Sequence, residues 1–465
     1  MANDDSLYDA VIIGAGMSGL AAGIRLAQYD RRVLILEKHS VIGGLNSFYR
    51  RNGRNLDVGL HAMTNFVPKG VRTGPLARIL RHLRLSWDDL GLTPQVGSSI
   101  AFPGVSLDFS NKFELLESQI AEKFPRQIDG FRKMVANLVD YDQLGGDDGL
   151  RTSARAFVSS FITDPLLVEM LFCPIFYYGG ARDHDMDFGQ FCIMFRAIFL
   201  EGFARPYEGI RLLLTRLLKK FKNLGGEIRL GTGVEKIDSD GHRAKKIVLA
   251  DGKEIYARQF LSSAGWRETM RLCQLRCVGQ PLAEGRLSFV ETISILDRDP
   301  KKLGHKKTLV FFNDSDRFSY EKPDDTVDLR SGVICSPNNF QYNKPLGEGM
   351  IRITALANFD RWAGMNEDQY RVEKLRWFDR LLSSAVRFVP DFRGNIIDND
   401  MFTPLTITRY TGHEGGAIYG SADKKYDGQT PLENLFVCGT DQGMLGVVGA
   451  IVSGITIVNR YFLSK

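Results

Sequence analysis

An apolar run at 10–13 meets a glycine-spaced turn, then apolar residues at helical spacing, then a second apolar run at 33–36. That order predicts strand, tight turn, helix, strand. A shorter strand-like stretch covers 55–62. Residues 76–90 (LARILRHLRLSWDDL) place apolar residues at helical spacing with basic ones between them, which predicts an amphipathic helix lying on the protein's own core or on a membrane surface. Residues 113–138 predict one or two helices, with Phe124, Phe131 and Met134 turned inward.

The richest apolar segments, 157–178 and 188–203, include Phe161, Phe172, Phe176, Tyr177, Tyr178, Phe191, Phe195 and Phe199. They suit a helical core, the lining of a long apolar tunnel, or insertion into one bilayer leaflet. A helix at 210–221 carries Ile210, Leu213, Leu214, Leu217, Leu218 and Phe221 on its apolar side and ends at Gly225-Gly226. Short strands at 227–230, 234–237, 246–249 and 254–256 are separated by Asp240-Gly241 and Asp251-Gly252 turns. From 286 to 358 the runs SFVETISIL, TLVFFN, GVICS and MIRITALAN predict a second, largely antiparallel sheet. A long amphipathic helix at 367–388 precedes a final strand at 435–441 and a glycine-spaced helix from 446.

The first turn carries chemistry. It reads Gly14-Ala15-Gly16-Met17-Ser18-Gly19, and Glu37 with Lys38 follows the second strand. Gly14 suits the tight turn, Gly16 lets backbone approach a pyrophosphate, and Gly19 lets helix and strand pack closely. The helix N-terminus faces the phosphates with free N–H groups. Glu37 stands 18 residues beyond Gly19, placed for a ribose hydroxyl. Gly43-Gly44, followed by Leu45-Asn46, again lets backbone approach a ligand.

Composition changes this picture little. The chain has 465 residues, 44% apolar and 25% charged, enough for two or three domains or one with an insertion. A net charge of +5 is spread along the chain, so no nucleic acid partner is expected. Six cysteines form no CxxC pair, which gives no metal site and points to a reducing compartment. The acidic stretch 1–10 reads as neither signal nor transit peptide, and no run is apolar enough for a membrane span. A cytoplasmic protein is expected, with peripheral membrane association as its one membrane contact.

The fingerprint, the acid, Gly43-Gly44 and the Asp57-x-Gly59-x-His61 stretch together resemble the FAD-dependent phytoene desaturase, carotenoid isomerase and retinol saturase-like family of the amine oxidase superfamily. The closing Gly439-Thr440-Asp441 and Gly446-Val447-Val448-Gly449-Ala450 are similar to that family's C-terminal flavin motif. The resemblance covers 8–64, 205–265 and 435–462. It implies an α/β fold: a Rossmann-type, glutathione reductase-like FAD-binding domain (1–66, 205–275 and 401–465). An inserted α+β substrate domain (67–204 and 276–400) carries an antiparallel sheet and apolar helices.

The resemblance further implies that Gly59, Leu60 and His61 lie at the flavin, that backbone groups of Val234 hold the adenine, and that Asp441 contacts ribityl or phosphate oxygens. Where the family usually has Arg, this chain has Leu45, which weakens an amine oxidase reading. The implied activity is desaturation, saturation or isomerisation of a long isoprenoid, carotenoid-like or other lipid substrate by hydride transfer with flavin N5. With one N-terminal fingerprint, the implied electron acceptor is oxygen or a quinone. Candidates for the accompanying proton transfer are His61 and, in the glycine-rich loop 409–416, Tyr410, His413 and Glu414. A flavin amine or amino-acid oxidase and a non-catalytic FAD-bound lipid-binding protein are the alternatives.

Overall fold

A computed structural model describes residues 7–59, 61–140, 152–274 and 285–464. Leu60 and Cys277 lie outside the described residues.

The first apolar run forms the strand Tyr8–Ile13, parallel to Val33–Leu36 on one side and to Glu254–Ser262 on the other. Glu227–Arg229 and Leu435–Val437 extend this parallel sheet at its two edges. These strands read as continuous apolar runs because both faces are covered, one by helices and the other by the antiparallel strands Val234–Ser239 and Ala244–Leu249 with the short helix Trp266–Leu272. The first half of Glu254–Ser262 instead pairs antiparallel with Ala244–Leu249, which in turn pairs with Val234–Ser239.

Between the first two strands lies the first helix, Met17–Ala27, almost wholly buried. It packs on Ile210–Asn223 and on the C-terminal helix Gly446–Ile457. Two close approaches set its place. A Cβ at Gly19 would lie 2.1 Å from the Gly14 carbonyl oxygen. A Cβ at Gly454 would lie 2.1 Å from the Ser18 carbonyl oxygen. Only glycine lets these backbones approach so far.

The second sheet has the order Ile396–Phe402, Ser288–Leu296, Gly349–Ala357, Ser331–Cys335, Leu309–Asn313, Ser98–Phe102, Val105–Phe109. All its neighbours are antiparallel except the parallel pair Leu309–Asn313 and Ser98–Phe102. Between the helical segments read at 76–90 and 113–138, Pro103-Gly104 turns two alternating runs into the hairpin 98–109. The expected boundary at 400 falls inside Ile396–Phe402.

Helix 76–90 is also corrected. It spans Gly74–Leu83 and stops at Arg84, whose φ of 50° is left-handed. Its apolar side, Leu76, Ala77, Ile79 and Leu83, belongs to the core shared with the first and C-terminal helices. The apolar segments form Ala154–Ser159, Pro165–Gly179 and Phe188–Phe195, the last continuing through Arg196–Leu200. Phe172, Phe176, Phe191, Phe195 and Phe199 are fully buried in one core with the second sheet. A helix that is apolar all round is a core helix when other elements surround it. No helix among the described residues is long and apolar enough to cross a membrane.

The Gly454 contact yields a stability test. Gly454→Ala forces its new Cβ onto backbone that cannot rotate away, and lowers stability by about 1–3 kcal/mol, read as a fall in Tm.

Candidate active site

One cavity of about 1080 Å³ lies where the parallel sheet's carboxyl ends meet the second sheet. Single-ligand sites span roughly 300–1,000 Å³, so the volume suits a dinucleotide with a second molecule beside it.

At one end the walls are backbone. Gly14, Gly16, Met17, Ser18, Gly43, Gly44, Leu45 and Asn46 all line it. A Cβ at Gly16 would meet no protein atom within 4 Å, so the bare backbone there faces open space. Gly16 and Gly43 bridge as parallel backbone, and the Gly43 N–H donates to the Ala15 carbonyl at 3.0 Å. The first helix starts beside this wall with no side-chain cap. The C-terminal helix starts at Gly446, also without a side-chain cap, and Gly446, Val447 and Ala450 line the same cavity. Two helix N-termini with free N–H groups therefore converge on one space, a setting that favours anionic groups. This donor set and its glycine cradle fit a dinucleotide pyrophosphate.

Glu37 closes this end. Its Oε2 accepts from the Ala15 N–H at 2.8 Å and its Oε1 from the His39 N–H at 2.9 Å. Lys38 lines the wall, and burial lowers its pKa despite the neighbouring Glu37. Thr232, Gly233 and Val234 lie along the same wall.

Several expected residues sit elsewhere. Ala15 and Gly19 are packing positions behind the wall. Val448 is buried and faces the core. Asp441 does not line the cavity; its carboxylate accepts from the Trp266 and Ser421 N–H groups at 2.7 and 2.9 Å. Gly439 and Thr440 line the cavity in its place.

The four proton-transfer candidates separate. Tyr410 packs edge-on against His39 at 5.0 Å, and His413 Nδ1 lies 4.0 Å from Glu268, both near Lys38. Glu414 is outside the lining and pairs with Arg267 and Arg271 at 2.8 and 3.0 Å. These three belong to the Glu37 end and share no hydrogen bond, ion pair or ring contact with His61 among the described residues.

His61 belongs to the other end, beside Ala62, Tyr177, Tyr178, Phe289, Ile418 and Tyr419. Its Nε2 is 2.9 Å from Glu291 Oε1 and 3.0 Å from Thr354 Oγ1. Register explains the grouping. Glu291 lies opposite Thr354, and Arg352 is two residues along on the same face. Arg352, 1% exposed, pairs through Nε with Glu291 Oε1 at 2.6 Å and donates from Nη2 to the Asp57 carbonyl at 3.0 Å. Asp57 forms a buried ion pair with Arg205. Burial alone would raise the Glu291 carboxyl, but Arg352 and His61 outweigh it and hold it at about 2.

Glu291, Arg352 and Thr354 are absent from the sequence-derived candidates. Their signal is a Glu inside SFVETISIL and an Arg inside MIRITALAN, charges in strands otherwise apolar.

The parallel sheet, its glycine turn and the paired helix ends define a dinucleotide-binding α/β protein with a second sheet closing the site. Residues 12–82 match the NAD(P)-binding Rossmann-like domain family. Prolycopene isomerase of Arabidopsis thaliana is 22% identical over 95% of this chain and 77% of that protein. Phytoene desaturase (lycopene-forming) of a Paracoccus species is 24% identical over 90% and 88%. All-trans-retinol 13,14-reductase of Danio rerio is 22% identical over 97% and 86%.

Among solved structures, an oxidoreductase from Methanosarcina mazei superposes with a TM-score of 0.67 at 17% identity, covering 97% of this chain and all of that one. A putrescine oxidase variant gives 0.64 at 15%, covering 99% of each. These likenesses show the fold. The homologues fit the family that the motifs resemble, and the chain is an enzyme.

The Glu291 pair makes stability depend on pH. Its folded pKa of about 2 lies below the ordinary 4.5, so the stabilisation is present above 4.5 and is lost as pH falls toward 2. Arg352→Met removes the main charge lowering that pKa. It moves the loss to higher pH and costs about 3–5 kcal/mol at neutral pH, both read from Tm against pH.

Proposed function

We propose that this protein is an FAD-dependent oxidoreductase that changes carbon–carbon double bonds in a long apolar, isoprenoid or carotenoid-like substrate. The observation that carries this reading is one cavity with two unlike ends. Glycine backbone and two uncapped helix N-termini form one end; aromatic side chains form the other. The first suits the anionic middle of a dinucleotide, and the second suits a molecule with little to hydrogen-bond. The names of the homologues, which concern carotenes and retinol, support the same substrate class.

In this reading Gly14, Gly16, Met17, Ser18, Gly43 and Gly44 hold the pyrophosphate region with backbone. Glu37, with Lys38, binds the adenosine ribose, and Thr232–Val234 backbone holds the adenine. Leu45, Asn46, Gly59, Gly439, Gly446, Val447 and Ala450 surround the flavin. The cofactor unit is 1–66, 205–275 and 403–465, with the boundary moved past the strand Ile396–Phe402. Bound FAD supplies two-electron hydride chemistry, and the chain supplies positioning and exclusion of water. Tyr177, Tyr178, Phe289 and Tyr419 orient the apolar chain. Oxygen or a quinone is the electron acceptor. An amine substrate is disfavoured because Leu45, not a basic residue, occupies the wall beside Gly44.

The purified protein is expected to show a flavin absorbance spectrum. A polyene or isoprenoid bleaches that spectrum without oxygen, and amines leave it unchanged; absence of flavin, or bleaching by amines alone, would overturn the reading. Gly16→Leu serves as the matched variant. Its side chain enters open space, so far-UV CD stays native while flavin is lost on gel filtration.

A further inference from the structure

His61 is held from two sides. Its carbonyl accepts from Arg205 Nη1 at 3.4 Å and lies 3.8 Å from the Cys335 thiol. Its ring meets Glu291 and Thr354 through Nε2 alone. Among the described residues Nδ1 has no hydrogen-bond partner, and the side chain, 12% exposed, lines the cavity. Arg352 keeps Glu291 ionised, and a carboxylate can only accept. In the neutral form of the ring, Nε2 then carries the proton and the lone pair lies on Nδ1. The charged groups facing this ring are Glu291 and Arg352 of the second sheet, and Arg205 with Asp57 behind its backbone.

We propose that Glu291 is a positioning residue: it fixes the Nε2–H tautomer of His61, so that Nδ1 takes up or returns a proton at the carbon skeleton of the bound substrate. This rests on the reading of the cavity as a site for FAD and an apolar chain. The balance is simple. Removing two hydrogens from adjacent carbons sends one, with its electron pair, to oxidised flavin. The other leaves as a proton to Nδ1, and the electrons of that C–H bond become the new double bond. Adding hydrogens is the reverse, and moving a double bond takes a proton from one carbon and returns one at another. Carboxylate-oriented imidazole is an effective proton carrier because the carboxylate fixes the tautomer and stabilises the imidazolium.

The test begins with nitrogen-15 histidine NMR on the full-length protein, a measurement independent of turnover. The wild type is expected to show His61 protonated at Nε2. Glu291 Oε1 faces both Arg352 and His61, so in Glu291→Gln the amide oxygen takes that place: Nε2–H is retained while the negative charge that stabilises the imidazolium is lost. Glu291→Asp keeps a carboxylate and serves as the folding control, retaining Nε2–H. In holoenzyme, Glu291→Gln slows flavin bleaching by polyene roughly 10²–10⁴-fold and changes its pH profile, with Glu291→Asp restoring much of the rate. An Nδ1–H ring in the wild type, or a Glu291→Gln rate within about twofold of wild type, overturns the positioning role while a flavin spectrum leaves the cofactor reading standing. A protein that binds no flavin but shows the Nε2–H ring overturns the cofactor reading and the proton transfer to substrate together.

Discussion

The site depends on a buried arrangement of charge that ties the second sheet to two small strand pairs beside it. Asp57 ends the strand Arg54–Asp57, Arg205 lies in the strand Ala204–Pro206, and Glu291 and Arg352 come from the second sheet. Arg352 bonds both Glu291 and the Asp57 carbonyl, so one guanidinium fastens the second sheet to the loop that carries His61. Replacing such a network with apolar residues can be neutral for stability, whereas leaving one member unpaired costs about 3–5 kcal/mol. A network of this kind is better understood as fixing geometry than as adding stability. Here the geometry fixed is that of His61 at the aromatic end of the cavity.

The opposite end rests on a different constraint. The first and C-terminal helices begin at the cavity without side-chain caps, an omission worth about 1 kcal/mol at each end in an ordinary helix. Their N–H groups are left for an anion. The two ends converge because the helices touch along glycine: Gly454 rests against the Ser18 backbone, and Gly19 against Gly14. The glycines of the turn and of the C-terminal helix, far apart in the chain, thus hold the first helix from two sides. The Ser453 hydroxyl ties the same helix to the last strand, accepting from the Gly439 N–H at 2.6 Å.

Much of the cofactor end was legible in the sequence because backbone does the work there. Gly14, Gly16, Glu37 and Gly43-Gly44 are local, and their spacing carries their geometry. Asp441 was misread for a related reason. It follows a strand-end glycine, but tertiary contacts with Trp266 and Ser421 turn its carboxylate away. His413 and Glu414 were misread because a glycine-rich polar loop says nothing about which end of a cavity it borders. Glu291 and Arg352 were missed because their meaning is a register: each is one charge in an apolar strand until the pairing puts them on one face. The strand hairpin 98–109 was hidden by the helical segments on either side of it.

The apolar helices show why composition alone leaves tunnel, core and membrane undivided. Pro165–Gly179 is apolar around its circumference except at Glu169, which pairs with Arg155, and so resembles a lipid-facing helix in composition. Its neighbours decide the matter for most residues: Phe172 stacks among Phe176 and Phe191 in the core. Only where the helix ends do Tyr177 and Tyr178 reach the cavity. Tyr177 spends its hydroxyl on Ser331 at 2.8 Å, away from any ligand, and offers its ring as wall. The same side chain therefore satisfies its polar atom within the protein and presents an apolar face to the cavity. In the proposed function, that division lets an aromatic arm hold a molecule without polar groups beside a histidine held by charge.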